Sequence, residues 1–128
     1  MSRFIALGLA VAAGTVLGAT AISHLQAQTK GPGAYAIVDV SEVTNPELMK
    51  TIGPKAAPAV TAAGGQIIAR TDKIAALDGE PPKRFVIIAF DSMDQAKAWY
   101  SSPLQQEVNA IVKQSQKSRM FAVEGISK

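Results

Sequence analysis

No cysteine occurs in this sequence, and its single histidine, His24, lies near the N-terminus. The absence of cysteine removes disulfides, thiolate nucleophiles and a lipid-anchor thiol. With histidine confined to position 24, a structural zinc site, a histidine-based catalytic triad and a histidine-ligated haem have no residues to build on in the rest of the chain. Carboxylates do not cluster into a metal-binding motif, so no metal or cofactor is expected. Glycines at 64 and 65 lack the G-x-G-x-x-G or P-loop context of a phosphate cradle and read as a turn. Basic residues are scattered rather than gathered on one stretch, which argues against nucleic acid as a partner.

Charge is also missing from residues 4–22 (FIALGLAVAAGTVLGATAI), which contain no proline either. Arg3 precedes this stretch and a polar segment begins at Ser23. A positive start, an apolar run and small residues at its end are the marks of a secretory signal peptide. Ala19-Thr20-Ala21 and Leu25-Gln26-Ala27 offer two cleavage sites. The alternative is an uncleaved inner-membrane anchor, since a spanning helix needs about 20 apolar residues. The abundance of Gly, Ala and Thr over Leu and Ile favours cleavage and a periplasmic or secreted protein. Removing the segment takes Arg3, leaving twelve Lys and Arg against ten Asp and Glu. A cut after Ala27 also takes His24. Residues 1–27 are therefore expected to be the export segment, residues 28–33 (QTKGPG) a linker, and residues 34–126 one small domain.

What the domain contains is legible as alternating strands and helices. Ala34–Val40 (AYAIVDV) is rich in β-branched residues and reads as a strand. Asn45, Pro46 and Glu47 form a helix start, and the helix is expected to run towards Ala63 with a kink or break at Gly53-Pro54. Gly64-Gly65 ends it. Gln66–Thr71 and Phe85–Phe90 read as strands, separated by turn signals at Asp78-Gly79 and Pro81-Pro82. Ser92 with Gln95 makes a capping box, and Ser102-Pro103-Leu104-Gln105 repeats the start signal for a helix to about Lys117. Met120–Glu124 reads as the last strand. The order β-α-β-β-α-(α)-β predicts an α+β, ferredoxin-like βαββαβ subunit, with a four-stranded antiparallel sheet and helices on one face.

Strand alternation divides the sheet residues into two sets. The helix-covered set is expected to hold Ala36, Val38, Val40, Ile67, Ala69, Val86, Ile88, Phe90, Phe121 and Val123. The other face would then carry Tyr35, Ile37, Asp39, Gln66, Ile68, Arg70, Phe85, Ile87, Ala89, Met120, Ala122 and Glu124. This second face is too apolar to leave in water and too charged for a dry core. It predicts a homodimer packed sheet against sheet with a pocket between the sheets. Candidate pocket residues are Tyr35, Asp39, Arg70, Arg84, Tyr100 and Glu124. Asp39 and Arg70 are expected on one face and at one end of it, as a ligand-binding pair or a structural ion pair. Trp99 is expected to be core packing, with Tyr100 nearer the pocket rim.

Several short motifs together resemble one known family. They are Ala34-Tyr35, Gly64-Gly65, Arg70, Leu77-Asp78-Gly79, Arg84 and Phe90, then Ala96, Trp99-Tyr100, Ser102-Pro103, Arg119 and Glu124-Gly125. Over residues 34–126 the chain resembles domain-of-unknown-function family 1330, of the dimeric α+β barrel superfamily. The resemblance implies a ferredoxin-like subunit that pairs sheet against sheet, but no established reaction. Ala89 stands where family members commonly carry Glu, and Gln106 where they often carry Tyr. The expected function is binding of a small organic molecule by an exported homodimer. A cofactor-independent enzyme of the isomerase or monooxygenase kind is the alternative, and a structural or interaction protein the second.

Overall fold

The computed structural model describes residues 33–126. The expected export segment, and all of the linker except Gly33, lie outside the described residues. Strand β1 (Ala34–Val43) is followed by helices α1 (Pro46–Met49) and α2 (Ile52–Ala62), then strands β2 (Gln66–Thr71) and β3 (Arg84–Phe90). Helices α3 (Met93–Ser101) and α4 (Pro103–Ser115) follow, and β4 (Gln116–Glu124) closes the chain. The four strands form one antiparallel sheet in the order β2-β3-β1-β4, the ferredoxin-like arrangement. No helix of the described residues is long and apolar enough to cross a membrane.

Local chemistry accounts for the helix ends. Asn45 Oδ1 accepts from Leu48 N at 3.1 Å, Ser92 Oγ from Gln95 N at 3.1 Å, and Ser102 Oγ from Gln105 N at 3.3 Å. Each satisfies an amide that the helix itself leaves unpaired. The break in the first helical segment falls at Lys50-Thr51, ahead of the expected Gly53-Pro54. Pro54 has no N–H to offer the carbonyl of residue 50, so a continuous helix cannot pass that point, and Pro54 instead sits in the first turn of α2. Gly64 takes a left-handed φ of +78° at the end of α2, and the Gly65 amide donates back to Val60 O at 2.9 Å. β1 and β4 extend beyond the expected ends because they pair with each other as far as Val43 and Gln116.

The register corrects the expected face assignments in two strands, β4 and β2. Met120 lies opposite Val38 and Ala122 opposite Ala36, whereas Phe121 and Val123 lie opposite Ile37 and Tyr35. Phe121 and Val123 therefore belong to the open face, and Met120, Ala122 and Glu124 to the helix side. The strand is apolar at every position from 120 to 123, so its composition fits either phase and the pairing decides. In β2 a register shift at Ile68 leaves Ile67 opposite Ile88 but brings Ala69 opposite Ile87 and Arg70 opposite Val86. One extra residue inverts the alternation beyond it. Ala69 thus turns to the open face and Arg70 to the helices.

The core lies between the sheet and the helices, around Ala36, Val60, Ile88, Phe90, Ala96 and Trp99. Trp99 packs on Phe90 with ring centroids 5.5 Å apart, as its expected packing role requires. Gly65 is part of the same fit, because a Cβ at that position would lie 2.5 Å from the Phe90 ring. Gly65→Ala is expected to cost about 1–3 kcal/mol by forcing that buried ring aside. Urea denaturation would show a lowered midpoint at unchanged slope; an unchanged midpoint would contradict the packing described.

Candidate functional site

The helical layer does not fill the space above the sheet. A cavity of about 80 Å³ remains, floored by Val38, Val40, Val86, Ile88 and Met120 and roofed by Ile52, Gly53, Ala56 and Val60 of α2 with Val108 and Val112 of α4. The walls are apolar along most of their length, and the two ends are not.

At one end stand Arg70 and Arg84. The β2 irregularity directs Arg70 across the sheet edge to the start of α2, where a Cβ on Gly53 would lie 3.8 Å from Arg70 Nη1. Arg84 opens β3 opposite Val40, on the same side of the sheet. Ion pairs among the described residues join Lys50 to Glu47, Lys117 to Glu42 and Arg119 to Asp39, and involve neither Arg70 nor Arg84. The cavity lining contains no carboxylate.

At the other end lie Trp99 and Gln105, 3% and 2% exposed. Trp99 Nε1 and Gln105 Oε1 are buried without a hydrogen-bond partner, as is Asn109 Nδ2 just beyond the cavity. Gln105 Nε2 donates to Asn109 Oδ1 at 2.9 Å, which satisfies half of each amide. Exchanging O and N in both amides preserves that bond and leaves the same number of orphans. Each unpaired buried polar atom costs about 1–3 kcal/mol. Buried polar groups of this kind are ordinarily met by an ordered water or a bound molecule.

The six expected pocket residues do not converge. Arg70 and Arg84 meet at the cavity mouth. Tyr35 and Asp39 lie on the open face of the sheet. Asp39 is bound there by Arg119, whose Nε and Nη2 both reach Asp39 Oδ2 at 3.0 Å. The expected Asp39–Arg70 pair is therefore not formed: the two side chains leave opposite faces of the sheet, because the β2 irregularity turns Arg70 over. Tyr100 is exposed on α3, edge-on to Trp99 at 6.4 Å between ring centroids. It borders a wider surface cleft with Met120 and Ala122 rather than the enclosed cavity. Glu124 is exposed at the end of β4, opposite Ala34. Among the described residues no group of three His, Cys, Asp or Glu is placed to hold a metal ion.

Sequence reasoning passed over Gln105 and Asn109. Their signal was present: Gln105, Val108, Asn109 and Val112 recur at i, i+3, i+4 and i+7, so two amides occupy the buried stripe of α4. A polar residue on such a stripe needs a partner.

These features define a ferredoxin-like α+β subunit with a partly enclosed, mostly apolar cavity between sheet and helices. The sequence profile of the domain of unknown function DUF1330 matches residues 33–126, and the chain belongs to that family. No curated protein matches it. Among solved structures, it is similar to the RPA0582 protein of unknown function from Rhodopseudomonas palustris, with a TM-score of 0.60 and 14% identity over 84% of this chain and 90% of the other. It is also similar to SnoaB, a cofactor-independent oxygenase from Streptomyces nogalater, with a TM-score of 0.53 and 10% identity over 75% and 96% of the two chains. A dimeric ferredoxin-like protein of unknown function from Thermobifida fusca matches with a TM-score of 0.50 and 16% identity over 75% and 92%. At these identities the likeness is one of fold.

Replacing Gln105 and Asn109 together by Leu removes two orphaned polar atoms at the cost of one hydrogen bond. The double variant is expected to match or exceed the parent in stability, by up to about 1–2 kcal/mol. A loss of more than about 2 kcal/mol in urea denaturation would show that the two amides are structurally satisfied.

Proposed function

We propose that this protein is an exported homodimer in which each subunit holds a small organic molecule in the cavity beneath its helices. The observation that carries the reading is the combination of a partly enclosed apolar cavity with unpartnered polar atoms at its inner end. A ligand supplies both the missing contacts and the missing hydrogen bonds. The sequence alone led to a pocket between paired sheets; the cavity on the helix side supports a ligand site there instead, with the open face free to join two copies.

That face supports pairing on its own terms. Phe121 and Val123 are 41% and 39% exposed, beside Ile37, Phe85 and Ile87. Covering them is worth several kcal/mol at about 25 cal/mol per Å² of apolar area. The charges on the face, Asp39 and Arg119, already neutralise one another, so two identical faces can meet without repulsion. The Thermobifida fusca protein of similar fold is itself dimeric.

An enzymatic reading draws on the oxygenase of similar fold. The lining side chains favour binding over catalysis, since they include no carboxylate, hydroxyl or imidazole to move a proton.

Light scattering of the purified protein is expected to give a dimer at micromolar concentration, and Phe121→Glu a folded monomer. A monomeric parent protein would contradict the dimer. Trp99 is the only tryptophan of the chain, so its fluorescence reports on the cavity directly. Titration with short carboxylates and alcohols is expected to change it saturably; a spectrum unmoved by every member of the panel would contradict ligand binding. Fractionation of the producing cells, with N-terminal sequencing, should find an exported chain beginning after Ala21 or Ala27; a chain retaining residues 1–21 in the membrane fraction would establish the anchor instead.

A further inference from the structure

The ends of the cavity differ in a way that selects a ligand class. We infer, resting on the binding role proposed above, that the ligand is a short monocarboxylate with a hydroxyl at its far end, its carboxylate at Arg70 and Arg84 and its hydroxyl at Trp99 and Gln105.

Charge sets the first part. Two guanidinium groups share the mouth, neither engaged in an ion pair among the described residues, and no acid lines the cavity to neutralise them. The planar fork of a guanidinium matches a carboxylate bidentately. The other end carries no charged side chain, so a second anionic group would be buried unpaired there. One carboxylate is therefore what the site takes.

Hydrogen bonding sets the second part. The indole N–H of Trp99 is a donor only, and the unpaired Gln105 atom accepts as Oε1 or, with both amides exchanged, donates as Nε2. A hydroxyl both accepts and donates, and so can answer both atoms at once. Between the two ends the walls are Val60, Val86, Ile88 and Val108, which suit methylene groups.

Space sets the third. A dry cavity of about 150 Å³ holds benzene, and this one, at about 80 Å³, is roughly half that size. The space is small and open at the mouth, so it suits a slender aliphatic chain lying lengthwise with its carboxylate in that mouth. The two ends are far enough apart for such a chain. α4 passes Gln105 near its start and Val112 seven residues later, about 10 Å further along.

The test compares three probes on the intact purified protein, by calorimetry and Trp99 fluorescence: 5-hydroxypentanoate, pentanoate and 1,5-pentanediol. 5-Hydroxypentanoate is expected to bind about tenfold or more tightly than either of the others, each of which lacks one anchoring group. Arg70→Gln and Arg84→Gln should each weaken it about tenfold, and raised salt should weaken it further. Both variants should keep the parent melting curve, because neither side chain is buried. Arg119→Gln, on the opposite face, should leave the affinity unchanged. If 1,5-pentanediol binds as tightly as the hydroxy acid, the anionic assignment is overturned while small-molecule binding stands. If pentanoate binds as tightly, the hydroxyl assignment is overturned. If none of the three binds and the fluorescence panel is also silent, this inference and the binding role fall together.

Discussion

A buried N–H with no acceptor is among the costlier states a side chain can occupy, at about 1–3 kcal/mol. Trp99 Nε1 is held in that state by the packing that also builds the core: the indole is pressed against Phe90, and Ala36, Ile88 and Val60 close around it. The ring cannot turn its nitrogen to solvent without abandoning those contacts. The backbone of Gln105 is fixed beside it through Ser102, whose hydroxyl donates to Trp99 O at 2.7 Å and accepts from the Gln105 backbone N–H. The loop between α3 and α4 thus locks a donor and an acceptor at the inner end of an apolar cavity. The functional reading depends on that constraint, since a cavity lined by hydrocarbon alone would be a packing defect.

The second determinant lies in the sheet. An irregularity at Ile68 costs β2 one step of register and turns Arg70 from the open face to the cavity mouth. The same step leaves the open face with Asp39 and Arg119 as its charged pair. The two faces are thereby separated in role. One is balanced in charge and apolar enough to pair with a copy of itself, and the other gathers unpaired cations around an enclosed space. Ala89 belongs to the open face, opposite Tyr35. A Glu at that position, as the family resemblance implies, would lie on the open face, away from the cavity. Gln106, at the other departure, donates its side-chain amide to Tyr100 O at 2.7 Å and serves the α3–α4 connection.

Much of the fold was legible because its signals are local. Asn45, Ser92 and Ser102 announce their helices, Gly64-Gly65 ends one, and the order of strands follows from the spacing of apolar runs. What escaped was decided between strands. The phase of Met120–Val123 is ambiguous in a run with no polar residue, and a bulge has no composition of its own, so Arg70 was expected on the wrong face. The helix break moved three residues for a related reason: Pro54 acts on the carbonyl four residues before it, not at its own position. Of the candidate pocket residues, Arg70 and Arg84 line the cavity, while Asp39 and Glu124 lie outside it. Ionisable groups draw attention in a sequence, whereas Gln105, neutral and buried, does not.

The central claim is that a small molecule answers the polar atoms under the helices, and one resonance reports on it. The chain has one tryptophan, so a ¹⁵N–¹H correlation spectrum contains one indole N–H signal, that of Trp99. Adding 5-hydroxypentanoate is expected to shift that signal saturably and to slow its exchange with water, as a hydrogen bond to a shielded ligand requires. An indole signal that keeps its position and its exchange rate at saturating probe would contradict the account.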